Sequence, residues 1–118
     1  MGLLIKICGF TTPEGIAAAV EAGVDSIGLV LDPSPRQLTV ERARELKAHI
    51  PEGVEVVAVC GRPTVEELRR IQRDLAPDSI QLMADALPSE SLGIPILPAF
   101  EDGPDLIERV ERYRAQLN

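Results

Sequence analysis

The residues best suited to chemistry stand near the start of the chain, in Leu4-Ile5-Lys6-Ile7-Cys8-Gly9-Phe10-Thr11. This stretch reads as a buried strand ending in a polar, glycine-softened turn. Alternation places Leu4, Lys6 and Cys8 on one face and Leu3, Ile5 and Ile7 on the other. A thiol at the carboxyl end of a strand lies where α/β sheets carry out their reactions. It acts as a base near neutrality only if a nearby cation favours the thiolate. Lys6 needs a partner if the sheet buries it, and Gln81, which shares a face with Met83, is a candidate for the same polar set. Arg36 sits in the loop Asp32-Pro33-Ser34-Pro35-Arg36-Gln37 and offers a planar fork for a carboxylate. Asp32 and Asp85 fall at strand ends, where a carboxylate is an acid or a solvated cap. Cys60 ends a third apolar run and reads as packing.

Strands alternating with helices must position these groups. Residues 3–8, 25–31, 54–60 and 79–83 read as strands, and 94–100 as a fifth that Pro95 and Pro98 make irregular or an edge. Thr12-Pro13 opens a first helix with Ile16, Ala19 and Val20 inward, and Gly23 stops it. Thr39 caps a second, with Ala43, Leu46 and Ile50 inward. Thr64 and Glu67 form a capping box for a third, with Leu68, Ile71 and Leu75 inward. Residues 84–93 leave room for one helical turn at most. Residues 105–117 make a last amphipathic helix with Leu106, Val110, Tyr113 and Leu117 on one side.

Strand–helix alternation with short loops predicts a parallel sheet with right-handed crossovers. The fold class is α/β: a single partial-barrel domain over residues 1–118, with a flavodoxin-like open sheet as the alternative. An incomplete barrel is expected to expose Ile, Val and Leu on its inner face and to leave an open strand edge. A homodimer or a complementary barrel fragment would cover them.

The chain has 118 residues and a formal net charge of −7, which argues against nucleic acid or an anionic membrane as the main partner. A phosphorylated small molecule remains compatible, because one arginine and a few backbone amides can hold a phosphate. Two cysteines are too few for a disulfide scaffold and are not spaced for zinc. Neither metal nor cofactor is expected. Lys6 interrupts the N-terminal apolar run, so no signal peptide is read there, and the cytoplasm is the expected compartment.

Five segments in order carry a resemblance. Lys6-Ile7-Cys8-Gly9-Phe10-Thr11 resembles the first-strand signature of phosphoribosylanthranilate isomerase, a (β/α)8 barrel of tryptophan biosynthesis. Ile27-Gly28-Leu29-Val30 with Ser34-Pro35-Arg36 resembles its second strand and following loop, and Val56-Val57-Ala58-Val59-Cys60 its third strand. Gln81-Leu82 resembles its fourth strand, where Met83-Ala84 replace a histidine and a glycine, and residues 96–100 its fifth. The resemblance implies an Amadori rearrangement of an aminoaldose to an aminoketose. Cys8 would be the general base, and Arg36 would help position the substrate; Lys6 and Gln81, from the polar set that alternation gives them, are further candidate substrate contacts. It also implies that the general acid, on a sixth strand, and the phosphate loops, after the seventh and eighth, lie beyond these residues. An isolated chain is then expected to lack full isomerase activity, unless assembly as an oligomer supplies the missing groups.

Overall fold

The computed structural model describes residues 2–116. Five parallel strands form one sheet: β1 (Lys6–Cys8), β2 (Ser26–Val30), β3 (Glu55–Gly61), β4 (Ser79–Met83) and β5 (Ile96–Ala99). The helices are α1 (Pro13–Glu21), α2 (Val40–Lys47), α3 (Val65–Asp74) and α4 (Leu106–Gln116), with a single 3-10 turn at Ala84–Ala86. The strands lie in chain order, β1-β2-β3-β4-β5. A flavodoxin-like sheet reverses direction at its first strand, so this order excludes that alternative and gives a barrel-type (βα)5 unit. Here β1 and β5 are the two edges.

Register assigns the two faces. Lys6 pairs with Ser26 and Cys8 with Gly28. Gly28 pairs with Val57, Val57 with Ser79, Val59 with Gln81, and Gln81 with Leu97. These residues share the inner face. The other face carries Ile27, Leu29, Val56, Ala58, Ile80 and Leu82, all buried with Ile16, Leu46, Leu68, Ile71 and Leu75 of the helical segments. Thr12, Thr39 and Thr64 each accept a backbone N–H of the first helical turn, and Glu67 completes the box at Thr64. Lys47 on α2 donates to Leu75 O and Ala76 O at the end of α3, and Arg70 of α3 pairs with Glu41 of α2.

Several expectations are corrected. The inner face is not a bare apolar surface: Lys6, Ser26, Glu55, Ser79 and Gln81 make it mixed, Val57 is fully buried, and Ser79 donates to Glu55 at 2.6 Å. Leu97 is exposed on that face, and Leu3, Leu4, Ile5 and Ile7 are exposed in and before β1. Strand β1 is shorter than residues 3–8: only Lys6–Cys8 carry a ladder. Val110 is exposed rather than inward, and Leu117 lies outside the described residues. Helix α4 buries no residue fully. It leans on the end of β5 through an edge-to-face contact of Phe100 and Tyr113, centroids 5.8 Å apart.

Candidate active site

Four residues singled out in the sequence converge at the β1–β2 side of the inner face. Lys6 Nζ donates to Cys8 Sγ at 2.7 Å and to Gln81 Oε1 at 2.7 Å. The second contact reveals the shape of the sheet. β1 and β4 are three strands apart, roughly 14 Å in a flat sheet. Side chains standing upright on a flat sheet do not bridge that gap. The sheet therefore curls toward Lys6, and the inner face is concave. Arg36 approaches from the β2–α2 loop: its Cδ would lie 2.6 Å from a Cβ added at Gly9. Gly9 has φ +94°, a left-handed conformation, so glycine there serves both the turn and the passage of the arginine. The Arg36 guanidinium forms no ion pair among the described residues.

Gly28 is the residue that sequence reasoning passed over. A Cβ there would stand 2.5 Å from Cys8 Sγ and 3.2 Å from Val59 Cγ2. The missing side chain is what seats the thiol. Its signal lay in the sequence, as a glycine inside a strand where a close approach is needed.

The carboxylates behave differently from one another. Asp85 is bonded to Arg62 at 3.0 Å, and that guanidinium holds its carboxyl below the usual carboxylate range. An acid so stabilised as its anion is a poor proton donor. Glu101 also faces Arg62, at 3.5 Å. Asp32 lies over Gly61, where an added Cβ would meet its Oδ2 at 2.7 Å. Cys60 is buried in the helix-side core, as expected of packing. Burial, with Asp32 and Glu67 nearby, pushes its thiol up to about 12. A cavity of about 220 Å³ opens between the ends of β3, β4 and β5 and helix α4, lined among others by Arg62, Met83, Phe100, Arg109 and Tyr113. Arg62 was not anticipated, although its place immediately after β3 is where a parallel sheet collects functional groups. No group of His, Cys, Asp and Glu among the described residues is arranged to hold a metal ion.

A sequentially ordered parallel sheet, curled toward a thiol at the carboxyl end of its first strand, defines a protein of the β/α-barrel class. The comparisons narrow that class. The family described as N-(5'phosphoribosyl)anthranilate (PRA) isomerase matches residues 5–111. The N-(5'-phosphoribosyl)anthranilate isomerase of Acinetobacter calcoaceticus is 35% identical over 93% of this chain and 56% of its own length. That of Listeria monocytogenes is 45% identical over 68% of this chain and 40% of its own. A solved phosphoribosyl anthranilate isomerase in complex with reduced 1-(o-carboxyphenylamino)-1-deoxyribulose 5-phosphate superposes with a TM-score of 0.81. It is 25% identical and covers 97% of this chain and 62% of that one. TrpF from Jonesia denitrificans gives a TM-score of 0.67 at 32% identity, covering 71% of this chain and 42% of its own. The chain belongs to the phosphoribosylanthranilate isomerase family of tryptophan biosynthesis. It spans about half the length of the curated relatives it matches.

Proposed function

We propose that this chain carries the base-bearing part of an isomerase site for N-(5'-phosphoribosyl)anthranilate. In that reading Cys8 Sγ takes the proton from C2 of the aminoaldose in an Amadori rearrangement. The observation that carries it is the Lys6–Cys8–Gln81 cluster on the concave face, in which Lys6 and Cys8 belong to the first-strand motif and Gln81 to β4. The Lys6 ammonium supplies a counter-charge beside the sulfur, and Gln81 holds that ammonium in place. In the same reading Arg36, which passes over Gly9, receives the anthranilate carboxylate. The phosphorylated sugar is the ligand, and no metal or cofactor takes part.

The rearrangement also needs an acid at the ribose ring oxygen. Asp85 and Glu101 are engaged by Arg62, which leaves neither as a ready donor. The acid and the phosphate site come, on this reading, from the sixth to eighth strands of a family barrel, so the 118-residue chain alone turns over little or no substrate. The test is an isomerase assay of the chain alone and mixed with a separately produced C-terminal portion of a family barrel. Turnover in the mixture that disappears in Cys8→Ser is the expected result. Efficient turnover by the chain alone would overturn the need for a complement, and unchanged turnover with Cys8→Ser would overturn the role of the thiol. Association of two copies through the open side of β1 is the companion proposal. It accords with a relative from Thermotoga maritima whose phosphoribosylanthranilate isomerase is described as dimeric. A biosynthetic role of this kind belongs in the cytoplasm, and no helix of the described residues is long and apolar enough to cross a membrane.

A further inference from the structure

Cys8 and Lys6 make a pair that catalysis alone does not exhaust. The sulfur is on an exposed residue, whereas Cys60 is buried on the opposite face of the sheet. An accessible thiol beside a cation is the kind that peroxide oxidises first to a sulfenic acid. The fate of a sulfenic acid depends on the nucleophile nearest to its sulfur. A thiol gives a disulfide, a nitrogen gives a sulfenamide, and without either the sulfur continues to the sulfinic and sulfonic acids. Here the nearest nucleophile is an amine. Lys6 Nζ stands 2.7 Å from Sγ, nearer than the usual N–H···O separation although sulfur is the larger atom. Gln81 holds the same nitrogen from the far side at 2.7 Å, so the amine is kept in place rather than sweeping through solvent. Gly28, with no side chain, leaves the place that Sγ occupies beside the amine.

We propose that Cys8 and Lys6 form a peroxide-dependent nitrogen–sulfur cross-link, a modification site distinct from any turnover of substrate. The step balances with hydrogen peroxide as the oxidant. The Cys8 thiolate attacks one peroxide oxygen, the O–O bond breaks, and Cys8–SOH and hydroxide result, with two electrons passing from sulfur to oxygen; the Lys6 ammonium gives that hydroxide a proton, which leaves water and the neutral amine. The neutral amine of Lys6 then attacks the sulfur. The S–O bond breaks, hydroxide leaves and takes the amine's proton as water, and Cys8–S–NH–Lys6 remains. The net change in the protein is the loss of two hydrogens. Added thiol cleaves the S–N bond and restores both side chains. While it lasts, the link stops oxidation of Cys8 short of the irreversible acids and withdraws the sulfur from any role as a base.

Peptide mapping with intact-mass measurement after limited peroxide treatment tests this without an activity assay. Trypsin separates residues 1–6 from residues 7–36 when Lys6 is free. The cross-link predicts that residues 1–36 remain one peptide, two hydrogens lighter than the untreated sequence, and that thiol reverses both changes. In Lys6→Arg the loss of two hydrogens disappears and Cys8 gains two or three oxygens instead. A disulfide between chains would also lose two hydrogens, but it would double the mass and survive Lys6→Arg. Either that behaviour, or oxygens accumulating at Cys8 of the unaltered chain while trypsin still cuts after Lys6, would overturn the proposal.

Discussion

The two cysteines show how a sheet gives one residue type opposite fates. Cys8 faces the concave side beside an ammonium, and Cys60 faces the helices in an apolar core. Because burial raises the Cys60 thiol from 9.0 to about 12, the folded protein keeps that proton where the unfolded chain loses it. Between those values the unfolded state binds fewer protons, so stability falls as pH rises, by up to about 1.4 kcal/mol per pH unit. Urea midpoints measured from pH 8 upward are expected to fall more steeply for the natural chain than for Cys60→Ala. A thiol reagent at pH 8 should label Cys8 quickly and Cys60 only on unfolding. Gly28 offers a second test at this scale. In Gly28→Ala the new methyl occupies the position of Cys8 Sγ, and a thiol can rotate aside where a backbone could not. The stability cost is therefore modest, ~1–3 kcal/mol. The larger effect is on Cys8, which turns away from Lys6. Mass mapping is expected to show Gly28→Ala losing the peroxide-dependent link, and complemented turnover should fall at least tenfold.

Among the elements, what was legible in the sequence is what local chemistry decides. Thr12-Pro13, Thr39 and Thr64 with Glu67 announced three helix starts, and all three caps form. Leu68, Ile71 and Leu75 marked one buried face, and Lys6 with Cys8 could be placed together because alternation has period two. What escaped was decided by elements distant in sequence. Whether Ile5 and Ile7 are covered depends on the neighbours of an edge strand, and the partner of Lys6 depends on a curl that only the assembled sheet displays. One repeated device was present but unread: Asp25-Ser26-Ile27 and Asp78-Ser79-Ile80 open β2 and β4 with the same three residues. Each aspartate accepts an N–H from the neighbouring chain segment, that of Ile5 just before β1 at 2.7 Å and that of Val56 on β3 at 2.8 Å, extending the ladder by a side chain. Val56 is buried and Ile5 is exposed. Water can replace the carboxylate at Ile5 but has little access to Val56. Asp78→Ala is accordingly expected to cost about 1–3 kcal/mol in chemical denaturation, and Asp25→Ala distinctly less.

At the scale of the whole molecule the open question is what lies against the outer side of β1. Leu3 is 84% exposed, and Ile5 and Ile7 45% and 42%, beside a free strand edge. A two-fold pairing brings this patch against its own copy, so each buried residue counts twice. Six such side chains, some already half covered, give a gross gain of roughly 5–10 kcal/mol. That is comparable with the roughly 4–15 kcal/mol that association costs, so a dimer formed this way would stand near balance, and one charge inside the patch should dissolve it. Each copy also carries a net charge of −7, and this repulsion is screened by salt. Sedimentation velocity is therefore expected to show twice the 12.8 kDa chain mass at high protein concentration. The dimer should tighten as salt is added, and Ile5→Lys should sediment as a single chain with the same fold by circular dichroism. A natural chain that stays at the single-chain mass at high concentration and high salt would rule out this pairing and leave the side of β1 to a complementary half of a barrel.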